Sequence, residues 1–76
     1  MVHAFIMVKT AAGKSESLLS DVQALDGVDR AHIVAGDWDL VVEVSVDEVY
    51  DVLQTAASRI QELDGVSDTR TYVVLE

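Results

Sequence analysis

The residues best equipped for chemistry lie in one short run, Ala35-Gly36-Asp37-Trp38-Asp39-Leu40, where two acids and the only tryptophan surround a glycine. Gly36 has no side chain to obstruct a ligand's approach to the backbone amides. Asp37 or Asp39 can pair with an ammonium group or cap a turn, and Trp38 can wall a pocket. A plainer reading competes, in which a Gly-Asp hairpin turn carries a tryptophan that packs at a subunit interface. A second group, Thr69-Arg70-Thr71, offers hydroxyls and a guanidinium able to receive a carboxylate. Threonine is also a good strand residue, and Arg70 could form only a surface ion pair. His3 and His32 stand alone, with no partner at a recognised ligand spacing, so no metal site is expected. The sequence contains no nucleophile elbow, cysteine, phosphate loop or dinucleotide fingerprint, so nothing in it demands an enzyme or a cofactor.

What must position these residues is a repeat. Leu25-Asp26-Gly27-Val28 recurs as Leu63-Asp64-Gly65-Val66, half a chain later in a chain of 76 residues. Each copy closes a helical pattern and opens a strand-like one. Val2 to Lys9 is almost wholly apolar and reads as a strand. Leu18, Leu19, Val22 and Leu25 then fall at helical spacing, predicting a helix from Ser15 to Leu25. Val28 to Ala35 and Leu40 to Val46 read as a hairpin around Gly36-Asp37. Asp47 is placed to cap a longer helix with the stripe Val49, Leu53, Ala56, Ile60 and Leu63. Val66 to Glu76, rich in threonine and valine, closes the chain as a fourth strand.

The order βαββαβ predicts an α+β, ferredoxin-like sandwich, a four-stranded antiparallel sheet with both helices on one face. Alternation gives the first and last strands apolar residues on both sides, Phe5 and Met7 against Ala4, Ile6 and Val8, and Tyr72 and Val74 against Thr71, Val73 and Leu75. One face packs on the helices. Burying the other against a second copy would gain about 25 cal/mol per Å² of apolar surface, so a sheet-to-sheet homodimer is expected.

Composition agrees with a single small domain over residues 1–76 that gains stability from self-association, because a chain of this size buries only about 60% of its unfolded surface. Fourteen acidic residues against five basic ones give a net charge of −9, which argues against direct nucleic-acid binding. Nine of those acids are aspartate, a balance that suits a concentrated-salt cytoplasm where acid–acid repulsion is screened. No apolar run reaches transmembrane length, and the expected location is cytoplasmic.

Taken in order, Ala4-Phe5-Ile6-Met7-Val8-Lys9-Thr10, Gly27-Val28, Ala35 to Leu40, Gly65-Val66 and Thr69-Arg70-Thr71 resemble the effector-binding (RAM) domain of the Lrp/AsnC family of transcription regulators. The resemblance implies a βαββαβ domain that dimerises through its sheets as a dimeric α+β barrel and joins into an octamer-like assembly. It also implies an amino-acid effector bound between dimers. Gly36, Asp37, Trp38 and Asp39 match the family's glycine-aromatic-aspartate turn, and Thr69 and Thr71 its threonine pair; these six are the candidate ligand-binding residues. Full members carry an N-terminal helix-turn-helix, whereas this chain starts at the first strand and resembles a stand-alone, non-enzymatic module able to modulate full-length regulators. Two other ferredoxin-like classes remain open. They are an ACT-like amino-acid-binding regulatory domain and a dimeric monooxygenase using His3, Trp38 or Tyr72, which would need an enclosed pocket between sheet and helices.

Overall fold

Strand β1, Val2–Thr10, occupies the middle of the sheet, and its alternation sets the two faces. Ala4, Ile6 and Val8 are buried beneath the helices, while His3, Phe5, Met7 and Lys9 turn to the opposite, open side. The structure is a computed structural model that describes Met1 to Leu75, apart from the side chain of Thr55. After β1 come α1 (Ser15–Gln23), β2 (Val28–Ile33), β3 (Leu40–Val46), α2 over residues 49–61 and β4 (Val66–Val73). The strands lie in the order β2-β3-β1-β4 and all neighbours run antiparallel, the expected ferredoxin-like arrangement.

The core is a thin layer of small and medium aliphatic residues. Ile6, Val8, Leu40, Val42 and Val44 from the sheet meet Leu18 and Val22 of α1 and Val52, Ala56 and Ile60 of α2. Each of the larger side chains contributes about 1.5–3 kcal/mol on burial. No residue of β4 is fully buried, so this edge strand is held mainly by its backbone ladder to β1.

Several boundaries differ from the pattern in the sequence, among them β1, which runs one residue further to Thr10, and α2, which ends at Gln61 before Leu63. Helix α1 stops at Gln23, because Leu25 donates its N–H back to Val22 O in a tight final turn. Strand β2 stops at Ile33, and residues 34–39 form a longer loop closed by Val34 N–H donating to Asp39 O at 2.8 Å. Strand β4 stops at Val73; Glu76, the expected strand end, lies outside the described residues. The cap of α2 is Glu48 rather than Asp47, with Asp51 Oδ2 accepting the Glu48 N–H at 3.2 Å.

The largest departure is inside α2. Val49–Asp51 and Ser58–Gln61 are α-helical, but Val52–Ala57 between them is a π-helix, with a wider turn than 3.6 residues. The inward stripe therefore changes phase. Val52, Ala56, Ala57 and Ile60 are buried, whereas Val49 and Leu53, expected on the core face, are about half exposed at 49% and 52%.

Candidate functional site

The run from Gly36 to Asp39 sits at the end of the sheet where β1 leaves it. Asp39 is fixed there by three bonds to the end of β1. Its own N–H donates to Val8 O at 2.9 Å, and its carboxylate Oδ2 accepts the Thr10 N–H at 2.8 Å and the Thr10 hydroxyl at 3.3 Å. Thr10 Oγ1 in turn lies 3.0 Å from Ser15 Oγ at the start of α1. A charge-assisted bond to a backbone amide of this kind is among the stronger local ties. The carboxylate thus locks the hairpin loop to the end of β1, which leaves Asp37, exposed and one position earlier in the alternation, as the freer acid.

Trp38 lies half-buried between those acids. Its indole has two cations over it, Lys9 Nζ at 6.0 Å and the Arg70 guanidinium at 5.7 Å from the ring centroid. Lys9 and Arg70 extend from β1 and β4 on the open face, so the tryptophan is tied to that side of the sheet.

The threonines face the other way. Thr69 pairs with Val8 and Thr71 with Ile6, which places both on the helix side, and each is half-buried. Thr69 Oγ1 accepts a hydrogen bond from Gln61 Nε2 of α2 at 2.9 Å. Beside it, Gln61, Val66, Ser67, Asp68 and Thr69 line a shallow cleft of about 190 Å³. Within one protomer, then, the turn and the threonines share one end of the sheet, with the Trp38 indole on the open side and Thr69 and Thr71 on the helix side.

The sequence did not reveal the partners of Trp38 or of Asp39. That Lys9 and Arg70 lie over Trp38 and Thr10 against Asp39 carries no local signal, since the contacts are made across strands that are distant in sequence. A further group was equally hidden. Ser45 Oγ lies 2.9 Å from His3 Nδ1 and donates to Asp29 Oδ2. A hydroxyl has one proton to give, so with that proton on Asp29 the imidazole Nδ1 must carry the hydrogen toward Ser45. The serine is the centre of this chain and is engaged by an acid, which is not the arrangement of a nucleophile activated by histidine.

The interior between sheet and helices is filled by the aliphatic core, and the clefts found among the described residues open to the surface. No cluster of three or more potential metal ligands occurs among the described residues. No helix there is long and apolar enough to cross a membrane.

The open face also differs in charge from the rest of the chain. Lys9, Arg30 and Arg70 share it with Asp29, Glu43 and Asp68, so three of the five basic residues meet three of the fourteen acids. Phe5 and Tyr72, paired across β1 and β4, add exposed aromatic surface at 39% and 52%. The acid excess lies elsewhere.

Fold and site together define a ferredoxin-like module that carries a braced glycine-aromatic-acid turn at the end of an open, charge-balanced sheet. Over residues 3–76 the chain matches the Lrp/AsnC ligand binding domain, and it belongs to that family. It is similar to the leucine-responsive regulatory protein of Haemophilus influenzae, with 34% identity over 61 residues, a stretch covering 80% of this chain and 37% of that relative. The chain thus spans little more than a third of the length of the curated relatives it matches. Among solved structures it resembles a hypothetical protein from Pyrococcus horikoshii, with 33% identity, a TM-score of 0.89 and coverage of 100% of this chain and 92% of that one. It also resembles FFRP-DM1, with 33% identity, a TM-score of 0.91 and coverage of 99% and 100%.

Proposed function

We propose that this chain is a non-catalytic amino-acid-sensing and self-assembling module of the Lrp/AsnC type, acting in the cytoplasm and modulating full-length regulators. The observation that carries the reading is the turn at Gly36 to Asp39. It is built as a rigid mount by Asp39 and Thr10, in a chain that matches a ligand binding domain over residues 3–76. In this reading the turn amides and Asp37 hold the polar end of the effector, Trp38 covers its side chain, and Thr69 and Thr71 of a neighbouring copy add hydrogen bonds. Pairing of copies is supported by the open face. Its aromatic pair and balanced charges suit contact with an identical surface, and the excess of acids lies off this face. A homodimer through the sheets, closing into a larger ring of dimers, puts the two halves of the site within reach of each other. The acid-rich remainder suits a high-salt cytoplasm.

The test is calorimetric titration with the standard amino acids at high potassium chloride, with light scattering on the same samples. Saturable binding accompanied by a change in assembly size is expected, weakened at least tenfold by Asp37→Ala. Asp37 is the better probe than Asp39, whose loss would also release Thr10. A fixed oligomer that binds nothing in the panel would make the domain a purely structural one.

A further inference from the structure

Lys9 and Arg70 are two of only five basic residues in the chain, and both are drawn to the one indole. This is a strange use of scarce cations in a molecule with fourteen acids. Two of the carboxylates that share this end of the sheet make other bonds, and the third, Asp37, is exposed on the loop. Asp39 Oδ2 holds the Thr10 amide and hydroxyl, and Asp68, which pairs with Lys9 across the strands, turns its Oδ1 to the Thr69 N–H at 2.9 Å. In the hydrogen bonds of the described residues, neither cation is held by a carboxylate. A guanidinium over an aromatic face keeps the N–H donors at its rim free, in a fork that matches a carboxylate. The ammonium beside it adds a second positive charge over the same ring, so a carboxylate reaching this spot meets both cations at once.

We propose that Lys9 and Arg70, gathered over Trp38, form a receptor for a carboxylate group. The carboxylate comes from a free amino acid or from an acidic side chain of a second copy. The first source rests on the amino-acid-sensing reading above; the second does not. In either case the indole forms the floor of the site, so its environment changes when the carboxylate arrives.

Trp38 is the only tryptophan, so its emission reports on this place alone. One arm of the test follows that emission during titration with the standard amino acids, then with the strongest binder and its amide, L-leucine and L-leucinamide being the first pair run. Removing the carboxylate as the amide should weaken the response at least tenfold, as should Arg70→Gln or Lys9→Gln, while Arg70→Lys keeps part of it. Inorganic phosphate serves as counter-probe, and a tighter response to phosphate than to any carboxylate overturns the assignment. The other arm dilutes the ligand-free protein in light scattering. There Arg70→Gln and Lys9→Gln should shift dissociation to at least tenfold higher protein concentration if a second copy supplies the acid. Both side chains are exposed, and far-UV circular dichroism checks that the variants fold. If an amino acid binds but both glutamine variants bind and assemble like the parent, the receptor is wrong and the sensing reading survives. If no amino acid binds yet the variants assemble less well, the sensing reading falls and the receptor stands on the second copy. No effect in either arm overturns it.

Discussion

The two halves of the molecule are built on the same phrase and interlock through it. In each, Leu-Asp-Gly-Val makes the same turn from helix to strand. Leu25 and Leu63 donate their N–H groups to Val22 O and Ile60 O, both at 3.1 Å, and Val28 and Val66 donate back to those leucines, both at 3.3 Å. The glycines then reach across the molecule. Gly27 O accepts from Ser45 N of the second half, and Gly65 O accepts from Ala11 N of the first. Every strand pair, β1 with β3, β1 with β4 and β2 with β3, likewise joins one half to the other. Neither half has a sheet of its own, so the repeat describes how the halves were patterned and not units that fold apart.

The same comparison shows where the halves part. Both turn glycines have positive φ, 89° at Gly27 and 100° at Gly65, where a side chain costs about 1–2 kcal/mol. A Cβ at Gly27 would meet only ordinary contacts, Ser45 O and Val46 Cγ1 at 3.7 Å, whereas one at Gly65 would press on Leu18 Cδ1 at 3.2 Å and on Lys14 Cβ and Cγ at 3.3 Å. The second turn is thus packed under the start of α1 and the first is not. Gly65→Ala should lose about 2–3 kcal/mol in urea unfolding and Gly27→Ala about 1–2 kcal/mol. Equal losses would mean that Leu18 and Lys14 yield freely, and that the halves are more alike than their packing indicates.

The junction between the halves offers the next contrast, at two acids on either side of Trp38. Asp39 binds the Thr10 amide and so ties the end of β1 to the start of β3, while Asp37 is exposed on the loop. Asp39→Ala should therefore destabilise by about 1–2 kcal/mol, through a stranded backbone donor as well as the lost bond, and Asp37→Ala by no more than about 0.5 kcal/mol. Thermal melts of the two variants side by side would check this. A silent Asp39→Ala would free its carboxylate for the ligand role that Asp37 has been given.

The order of elements, the antiparallel sheet and the junction glycines were legible in the sequence because they rest on local signals. Nearly continuous apolar runs marked β1 and β3, helical spacing marked α1, and the repeat marked the two turns. The contents of the site were less so. Its residue types were visible from Gly36 to Asp39 and at Thr69 and Thr71, but which face each occupies depends on strand register. Register is set by contacts between distant segments, which is why Arg70 was readable as an ion-pairing surface residue and is found over Trp38 instead. Asp29, the extra residue where the register of β2 shifts between Val28 and Arg30, was likewise unforeseen as the partner of Ser45.

The smallest contrast, and the one that most directly separates sequence pattern from structure, is between the two helices. In α1 the stripe reads as written, with Leu18 and Val22 fully buried at ordinary helical spacing. In α2 the same rule selects Val49 and Leu53, and the π-helical segment Val52–Ala57 turns them outward while drawing in Val52. Local spacing could not distinguish these outcomes, because Val49, Val52, Leu53 and Ala56 satisfy both phases and only the fit against β3 and β4 selects one. A polar residue at position 53 discriminates cleanly. With its side chain half in water, Leu53→Gln should change unfolding free energy by no more than about 0.5 kcal/mol, while a leucine buried in an α-helical stripe would cost about 2 kcal/mol or more. Val52→Ala should show the reverse, a loss of about 1–2 kcal/mol from a residue that is fully buried here. If Leu53→Gln proves the costlier of the two, α2 is a regular helix in solution and the second half repeats the first more closely than its wide turn implies.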